Sequence, residues 1–398
     1  MRPLGVLARA FGAFSEVCVY RQVKSLAEFT PFVACKQRLN DRIYPYEPVH
    51  VLAPSLPSRV FLEAMRRLLP SAVRTKGGMA RLTNQLRVER PLWKLLRRYK
   101  PRALLIHYGW TAAAVVNVLR QSRIPYVMDL HGTDVNSAYR SPDSVYAGLL
   151  RTAFENAERC LFVSDFLRAR GVRLGCPPNR CETFYRGVPV PPDPFPIVDD
   201  HNMRFIAVGR LTPVKGHHVL LEAFAQVRQQ CPFATLTILG DGPARQDLQR
   251  LASDLRLDAH VRFLGFVPND QVYEELRQAC CLVQASRRLP DQEEGLPIAI
   301  QEAMAGGLPV IATRTGGIPE CVSHGETGLL VEPDNPKELA EAMRAVLGSR
   351  ELRASLGQKA RQRILTSFNL DRQNERLADL MRGIIGKPKV CQPSRCES

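Results

Sequence analysis

Two glutamates flank a helix-start signal in the stretch EEGLPIAIQE, residues 293–302. Glu294 precedes Gly295, Leu296 and Pro297, and Glu302 follows after seven residues. A carboxylate offers two acceptor oxygens, so each could take paired hydrogen bonds from vicinal sugar hydroxyls. Pro297 suits the first helical position, where its missing N–H costs nothing. The free N–H groups near Gly295, Leu296 and Ile298 would then form an anion site. Gly295 would let a ligand approach the backbone closely. Plainer explanations exist for each charge: Glu294 as a complement to a helix dipole, and Glu302 as a solvated helix residue.

A second candidate is GRLTPVKG, which carries Arg210 and Lys215 just after an apolar run. Two cations on one loop suit a diphosphate, which Arg can clamp bidentately while Lys acts as a point charge. An Arg/Lys pair is more often two solvated surface cations; here the position at a strand end favours the binding reading. A third candidate is HGTDV, with His131, Thr133 and Asp134 after the run PYVMDL. A histidine there can be a hydrogen-bond partner or a proton carrier, or a satisfied structural residue. The loops GDGP (240–243) and TRTGGIPE (313–320) also follow strand-like runs. Gly316 and Gly317 could turn backbone N–H groups toward a ligand.

These residues need a scaffold that aligns strand ends. The second half of the chain supplies one: MRFIAV, ATLTILG, VRFLGF, CCLVQAS and PVIAT are apolar runs without alternation. Amphipathic helical patterns such as GHHVLLEAFAQVRQQ and ARQDLQRLASDLRL separate them. That pattern predicts a parallel sheet covered on both faces, a doubly wound Rossmann-like domain. The first half reads similarly, with strands at PRALLIHYG, PYVMDLHG and ERCLFVS and helices at TAAAVVNVLRQSR and DFLRARGV. The proline- and acid-rich stretch VPVPPDPFPIVDDHN marks a linker. The expected division is an N-terminal Rossmann-like domain over 1–187, a linker over 188–203 and a C-terminal one over 204–365. A terminal helix over 366–386 is expected to pack back toward the first domain, with a disordered tail over 387–398. Two such domains would face each other across a cleft, with ligands beyond the carboxyl ends of the strands.

Bulk properties narrow the function classes. With 398 residues the chain exceeds one ordinary core. Apolar runs fall short of the roughly 20 residues of a membrane span. The first twenty residues, interrupted by Arg9 and Glu16, read as a strand and loop rather than a signal peptide. Eleven cysteines are scattered without a CxxC pair, which fits buried reduced thiols better than a disulfide framework or a zinc site. The net charge of +16 is one-sided: residues 1–187 hold 30 Lys and Arg against 13 Asp and Glu. A basic half of this kind calls for an acidic partner.

Taken together, GRLTPVKG, GDGP, VRFLGFV, EGLPIAIQEAMAGGLPVIATRTGGIPE and ETGLLVEPDNPKELAEAM resemble the retaining GT-B glycosyltransferases of family 4. The likeness is close over about 204–345 and thinner before that, resting on FSE (14–16), HGTD (131–134) and YRGV (185–188). It is nearest to bacterial exopolysaccharide and colanic-acid-type transferases. The resemblance implies roles. Arg210 and Lys215 would hold the donor diphosphate, with the backbone of Gly295 and Leu296. Glu294 would bind the donor sugar at its reacting face, and His131 would contact that sugar. Glu302 would hold the ribose, and the backbone near Phe266 and Val267 would meet the base. Many relatives carry a glycine-rich loop after the first strand; here ARAFGAFSEV offers only Gly12. Ser15, Glu16 and Asp134 would lie on the acceptor side. No metal or other cofactor is implied, and the donor would be a UDP- or GDP-sugar.

The basic half adds a partner. RVFLEAMRRLLPSAVRTKGG and PLWKLLRRYKPR read as basic amphipathic segments, each a half-buried domain helix or a membrane-surface helix. The charge asymmetry raises the second reading for the domain as a whole. The function expected is therefore sugar transfer to a lipid-linked or glycan acceptor, at the cytoplasmic face of an anionic inner membrane. A nucleotide-sugar epimerase of the same architecture is the alternative. A nucleic-acid module is disfavoured because aromatics are sparse and no stacking motif occurs.

Overall fold

The structure is a computed structural model and describes residues 3–13, 17–52, 88–198, 203–290 and 292–386. Ser15 and Glu16, the basic segment around Arg66 and Arg67, and the expected tail over 387–398 lie outside the described residues.

The first sheet has seven strands: β1 (Leu4–Phe11), β2 (Phe32–Arg38), β3 (Val49–Val51), β4 (Ala103–His107), β5 (Tyr126–Leu130), β6 (Arg159–Phe162) and β7 (Cys181–Thr183). Their order is β3-β2-β1-β4-β5-β6-β7, with β1 parallel to β2 and β4, and β6 parallel to β7. The second sheet has six: β8 (Arg204–Val208), β9 (Thr235–Leu239), β10 (Val261–Gly265), β11 (Cys281–Gln284), β12 (Val310–Thr313) and β13 (Leu329–Val331). Their order is β10-β9-β8-β11-β12-β13, all parallel. Both sheets reverse their strand order after the first strand, the doubly wound arrangement.

The absence of alternation in these strands has a direct cause. Phe205, Ala207, Leu236, Ile238, Cys281, Val283 and Ile311 belong to one buried cluster. Ile206, Leu239, Leu282, Val310 and Ala312 belong to another. Successive residues of one strand thus enter opposite cores, so both faces select apolar side chains. Each face is closed by helices such as His217–Gln230 and Pro336–Gly348 on one side and Ile298–Ala305 on the other.

Local signals set the helix ends. The Ser164 Oγ accepts from the Leu167 N–H to start Asp165–Arg173, and Asn335 accepts from the Glu338 N–H with Pro336 at the first helical position. Two expectations are corrected. The helix expected at TAAAVVNVLRQSR is broken into Gly109–Ala114 and Val116–Ser122, because Val115 leaves helical geometry with φ −119°. The terminal helix begins later than 366: residues Ile364–Phe368 form a π-turn, and the helix runs Leu370–Gly386.

By contacts the chain forms two compact units. One comprises residues 1–128, 156–159 and 374–398, the other 129–155 and 160–373. The sheets part at 184–203, where the described residues hold no strand beyond a bridge at Val188. Contacts instead group residues 129–155 and 160–187 with the second sheet. Within the first unit an ion pair joins Arg382 to Glu28.

The nine described cysteines are free thiols, and seven are buried. Burial pushes the Cys35 thiol up to about 11 and those of Cys280 and Cys321 up to about 12. No helix among the described residues is long and apolar enough to cross a membrane.

Gly240 marks a place where backbone strands of different loops touch. Its φ is +132°, and a Cβ there would lie 1.9 Å from the Gly209 carbonyl oxygen. Gly240→Ala is expected to cost about 2 kcal/mol or more of stability, read by urea denaturation.

Candidate active site

The site grows from the point where the second sheet reverses. β8 and β11 are neighbours, paired at Phe205–Cys281 and Ile206–Leu282. Their carboxyl ends therefore release the 209–216 loop and the 285–297 loop side by side. Backbone bonds lace the first loop to its neighbours: Gly209 N–H to the Leu239 carbonyl, and Leu211 N–H to the Asp241 carbonyl. A 3₁₀ turn at Pro213–Lys215 then aims Lys215 at the second loop. Its Nζ lies 2.7 Å from Glu294 Oε1, with the two side chains 16% and 12% exposed.

Glu294 is held from beneath as well. The Ser286 Oγ donates to Glu294 Oε1 at 3.0 Å, and the Gln284 Nε2 donates to that Oγ at 2.7 Å. Gln284 and Ser286 are both buried. One carboxylate oxygen thus takes a cation from above and a fixed hydroxyl from below. Gly316 makes room for this: with φ +56°, a Cβ on it would lie 2.0 Å from the Glu294 carbonyl oxygen. The Gly317 N–H donates to the Gly295 carbonyl at 3.0 Å.

His131 approaches the same loop. A Cβ on Gly295 would lie 3.0 Å from the His131 carbonyl oxygen, so the two backbones are in close contact. The His131 ring places Nε2 3.5 Å from Oδ2 of Asp129, and Arg186 Nη2 lies 3.5 Å from the same oxygen. Asp134, expected on the acceptor side, is instead fully buried. Its carboxylate accepts from the N–H groups of Gly132 at 2.8 Å and His131 at 3.2 Å, so it shapes the loop that carries His131.

The other expected residues land as follows. Arg210 is exposed on the first loop. Pro297 is corrected by one position: at ψ 125° it is the N-cap, and the helix starts at Ile298. Glu302 lies on the buried side of that helix, 7% exposed. Phe266 is 51% exposed after β10, while Val267 packs on the core. Ser15 and Glu16 lie outside the described residues. Sequence reading missed Gln284, Ser286, Asp129 and Glu293. Glu293 was printed beside Glu294, yet only its distant partners give it meaning.

His217 was missed too. It opens the helix His217–Gln230, directly after Lys215 and Gly216, and its ring bonds the Arg210 backbone carbonyl. Burial, assisted by the Lys215 charge, pushes its pKa down to about 4, while the bond to Arg210 opposes the shift. The ring is therefore neutral near pH 7 and braces the Arg210 loop without adding charge. A folded pKa below the unfolded value means that the unfolded chain binds the extra proton. The stabilisation is thus full above about pH 6.5 and is lost as pH falls toward 4, a change of roughly 3 kcal/mol. Urea midpoints measured from pH 4 to 7 should fall steeply toward acid in the native protein and less steeply in His217→Gln.

Two doubly wound parallel sheets, with a cation–carboxylate pair at the reversal point of the second, place the candidate site where ligands bind in α/β sheets of this kind. Residues 196–363 match the family described as "Glycosyl transferases group 1", and residues 46–187 match the "Glycosyl transferase 4-like domain". The colanic acid biosynthesis glycosyltransferase WcaL of Escherichia coli K12 is 30% identical over 293 residues, covering 72% of this chain and 71% of WcaL. The amylovoran biosynthesis glycosyltransferase AmsK of Erwinia amylovora is 29% identical, covering 70% of this chain and 69% of AmsK. In structure, Anabaena Alr3699/HepE in complex with UDP-glucose superposes with a TM-score of 0.75 at 20% identity, over 96% of this chain and all of that one. The chain belongs to the glycosyl transferases group 1 family. It is a glycosyltransferase, and its two parallel α/β sheets have the GT-B fold.

Proposed function

We propose that the chain transfers a sugar, with retention of anomeric configuration, from a nucleotide-sugar donor to a lipid-linked or glycan acceptor of a bacterial surface polysaccharide. The observation that carries the donor half is the Lys215–Glu294 contact at the β8/β11 reversal, with Arg210 on the same loop. Arg210 and Lys215 take the diphosphate, with the N–H groups of Gly295 and Leu296 before the helix Ile298–Ala305. Glu294 takes the hydroxyls of the sugar, Glu302 the ribose, and the backbone at Phe266 and Val267 the base. His131, its ring beside Asp129, contacts the sugar near the reacting carbon. In this reading the cations and the helix N-terminus carry the charge of the leaving nucleotide, and no metal is required. Attack comes from the face the nucleotide leaves, with the departing phosphate as base.

WcaL and AmsK are named for polysaccharide pathways, which supports the acceptor class. The HepE complex with UDP-glucose supports a nucleoside-diphosphate donor. A cavity of about 270 Å³ in the first unit, lined by Leu7, Leu52, Trp110 and Val115 with Arg9 and Lys36, suits an acceptor with apolar and anionic parts. The helix Arg90–Tyr99 buries Leu92 and Leu96 and exposes Lys94, Arg97 and Arg98. Its apolar side is spent on the fold, so contact with an anionic inner-membrane surface would be electrostatic. Each cation would contribute about 1 kcal/mol.

Thermal-shift assays with UDP-, GDP- and ADP-sugars should show one class stabilising the protein. Lys215→Ala should weaken that binding by about tenfold or more. Glu294→Gln should abolish transfer to membrane lipid extract while the protein stays folded. Epimerised free sugar nucleotide without transfer would overturn the reading. Replacing Lys94, Arg97, Arg98 and Lys100 by Gln should release the protein from vesicles rich in phosphatidylglycerol in a co-sedimentation assay; unchanged binding would rule out this surface.

A further inference from the structure

Glu293 has no part in the donor reading, yet its side chain is only 4% exposed. Its Oε2 lies 2.6 Å from Arg170 Nη2 and 4.0 Å from Arg140 Nη2, and its Oε1 lies 3.2 Å from Arg288 Nε. The Thr315 hydroxyl donates to Oε1 at 3.4 Å. Its backbone carbonyl accepts from Asn136 Nδ2 at 3.0 Å, and the Asn136 Oδ1 in turn accepts from Arg170 Nη1 at 2.5 Å. Arg170 is itself fixed between two rings, 4.1 Å from the Phe166 centroid and 4.9 Å from that of Tyr139.

The placement of these partners decides what Glu293 does. Arg140 and Asn136 sit on the helix that follows His131 and Gly132, and Arg170 on the helix Asp165–Arg173. Arg288 lies on the loop that carries Glu294, and Thr315 follows β12. One enclosed carboxylate thus joins the segment bearing His131 to the segment bearing Glu294, residue next to residue. An Arg fork fixes both direction and distance, and its clamp between aromatic rings removes the freedom to follow a displaced partner.

We infer that Glu293 is a positioning residue: held by Arg170 with Asn136, it clasps the 131–140 segment to the 288–295 loop and sets where His131 and Glu294 stand relative to a bound sugar. The kinetic part of this inference rests on the donor reading above; the clasp does not. Glu293 touches no reacting atom in that reading. Its loss should leave most of nucleotide binding in place, because the cations Arg210 and Lys215 lie on another loop and only the Gly295 and Leu296 N–H contacts share the Glu293 loop, and should displace the groups around the sugar.

The test uses the full chain, with Glu293→Gln, Glu293→Asp and Arg170→Lys. Sugar transfer to water, which needs no added acceptor, is followed with UDP-glucose and GDP-mannose, and the one that stabilises the native protein is used. In Glu293→Gln, kcat should fall on the order of 100-fold. Affinity for the free nucleoside diphosphate should stay within about threefold. Glu293→Asp should recover part of the rate. A folded Glu293→Gln protein with kcat within about twofold of native would overturn the inference, as would equal losses in nucleotide affinity and rate. Arg170→Lys keeps the charge and serves where Glu293→Gln fails to fold; it should show the same split. Hydrogen exchange on the ligand-free protein decides the clasp independently. Amides of 131–136 and 292–296 should lose protection together in these variants, while those of 204–208 keep theirs. Independent or absent changes would sink the clasp even if no sugar nucleotide binds. Failure of every donor to bind native protein would instead count against the donor reading alone.

Discussion

The reversal of strand order between β8 and β11 is the constraint on which the site depends. Helices cover opposite faces of the sheet on either side of that point, so the loops after the two strands diverge and leave room for a crevice between them. Two loops therefore run side by side beyond the strand ends, and their side chains meet there. The Lys215–Glu294 contact is the result. A cation and an anion at 2.7 Å, largely shielded from solvent, satisfy each other before a ligand arrives, and each becomes available only when something better replaces its partner. In the proposed reading, a diphosphate would offer Lys215 more charge than one carboxylate, and a sugar would offer Glu294 several hydroxyl donors. The pair keeps the protein from leaving buried charges uncompensated while the site is empty.

Glu293 and Glu294 are adjacent in the chain and opposite in duty. Glu294 is held by a lysine and a serine. Glu293 faces arginines and an asparagine from the 136–170 region. Removing one partner from an enclosed pair of the second kind costs about 3–5 kcal/mol, because the remaining charge stays buried. That cost explains how a loop whose described residues between 285 and 296 form neither helix nor strand can still hold the Glu294 carboxylate in one place. The glycines Gly295, Gly316 and Gly317 complete the arrangement by letting three backbones approach where side chains would collide.

Much of this was readable from residue order. Unalternated apolar runs such as ATLTILG and PVIAT became largely buried parallel strands, because successive residues enter different cores. Arg210, Lys215, His131 and Glu294 were picked out by their position after such runs. Lys215, His131 and Glu294 do gather around one loop, while Arg210 stands exposed on the neighbouring one. Asp134 shows the limit of that logic: a carboxylate at the second position of a helix looks available in a motif, and the fold spends it on two backbone N–H groups. The break at Val115 and the one-residue shift at Pro297 are boundary effects, where backbone torsions depend on neighbours more than on residue type.

Residue order alone therefore settled the alternation of strands and helices, the cations and carboxylates at strand ends, and the glycines among them. These are local properties, decided by periodicity and by the torsions each residue tolerates. Tertiary structure decided which strand lies beside which, and so which loops meet. It also separated two neighbouring glutamates, one paired with Lys215 and Ser286 and the other enclosed by arginines. The reason is physical: much of a side chain's solvation and charge environment comes from residues distant in the chain, Lys215 for Glu294 and Arg170 for Glu293, and no local pattern encodes that encounter.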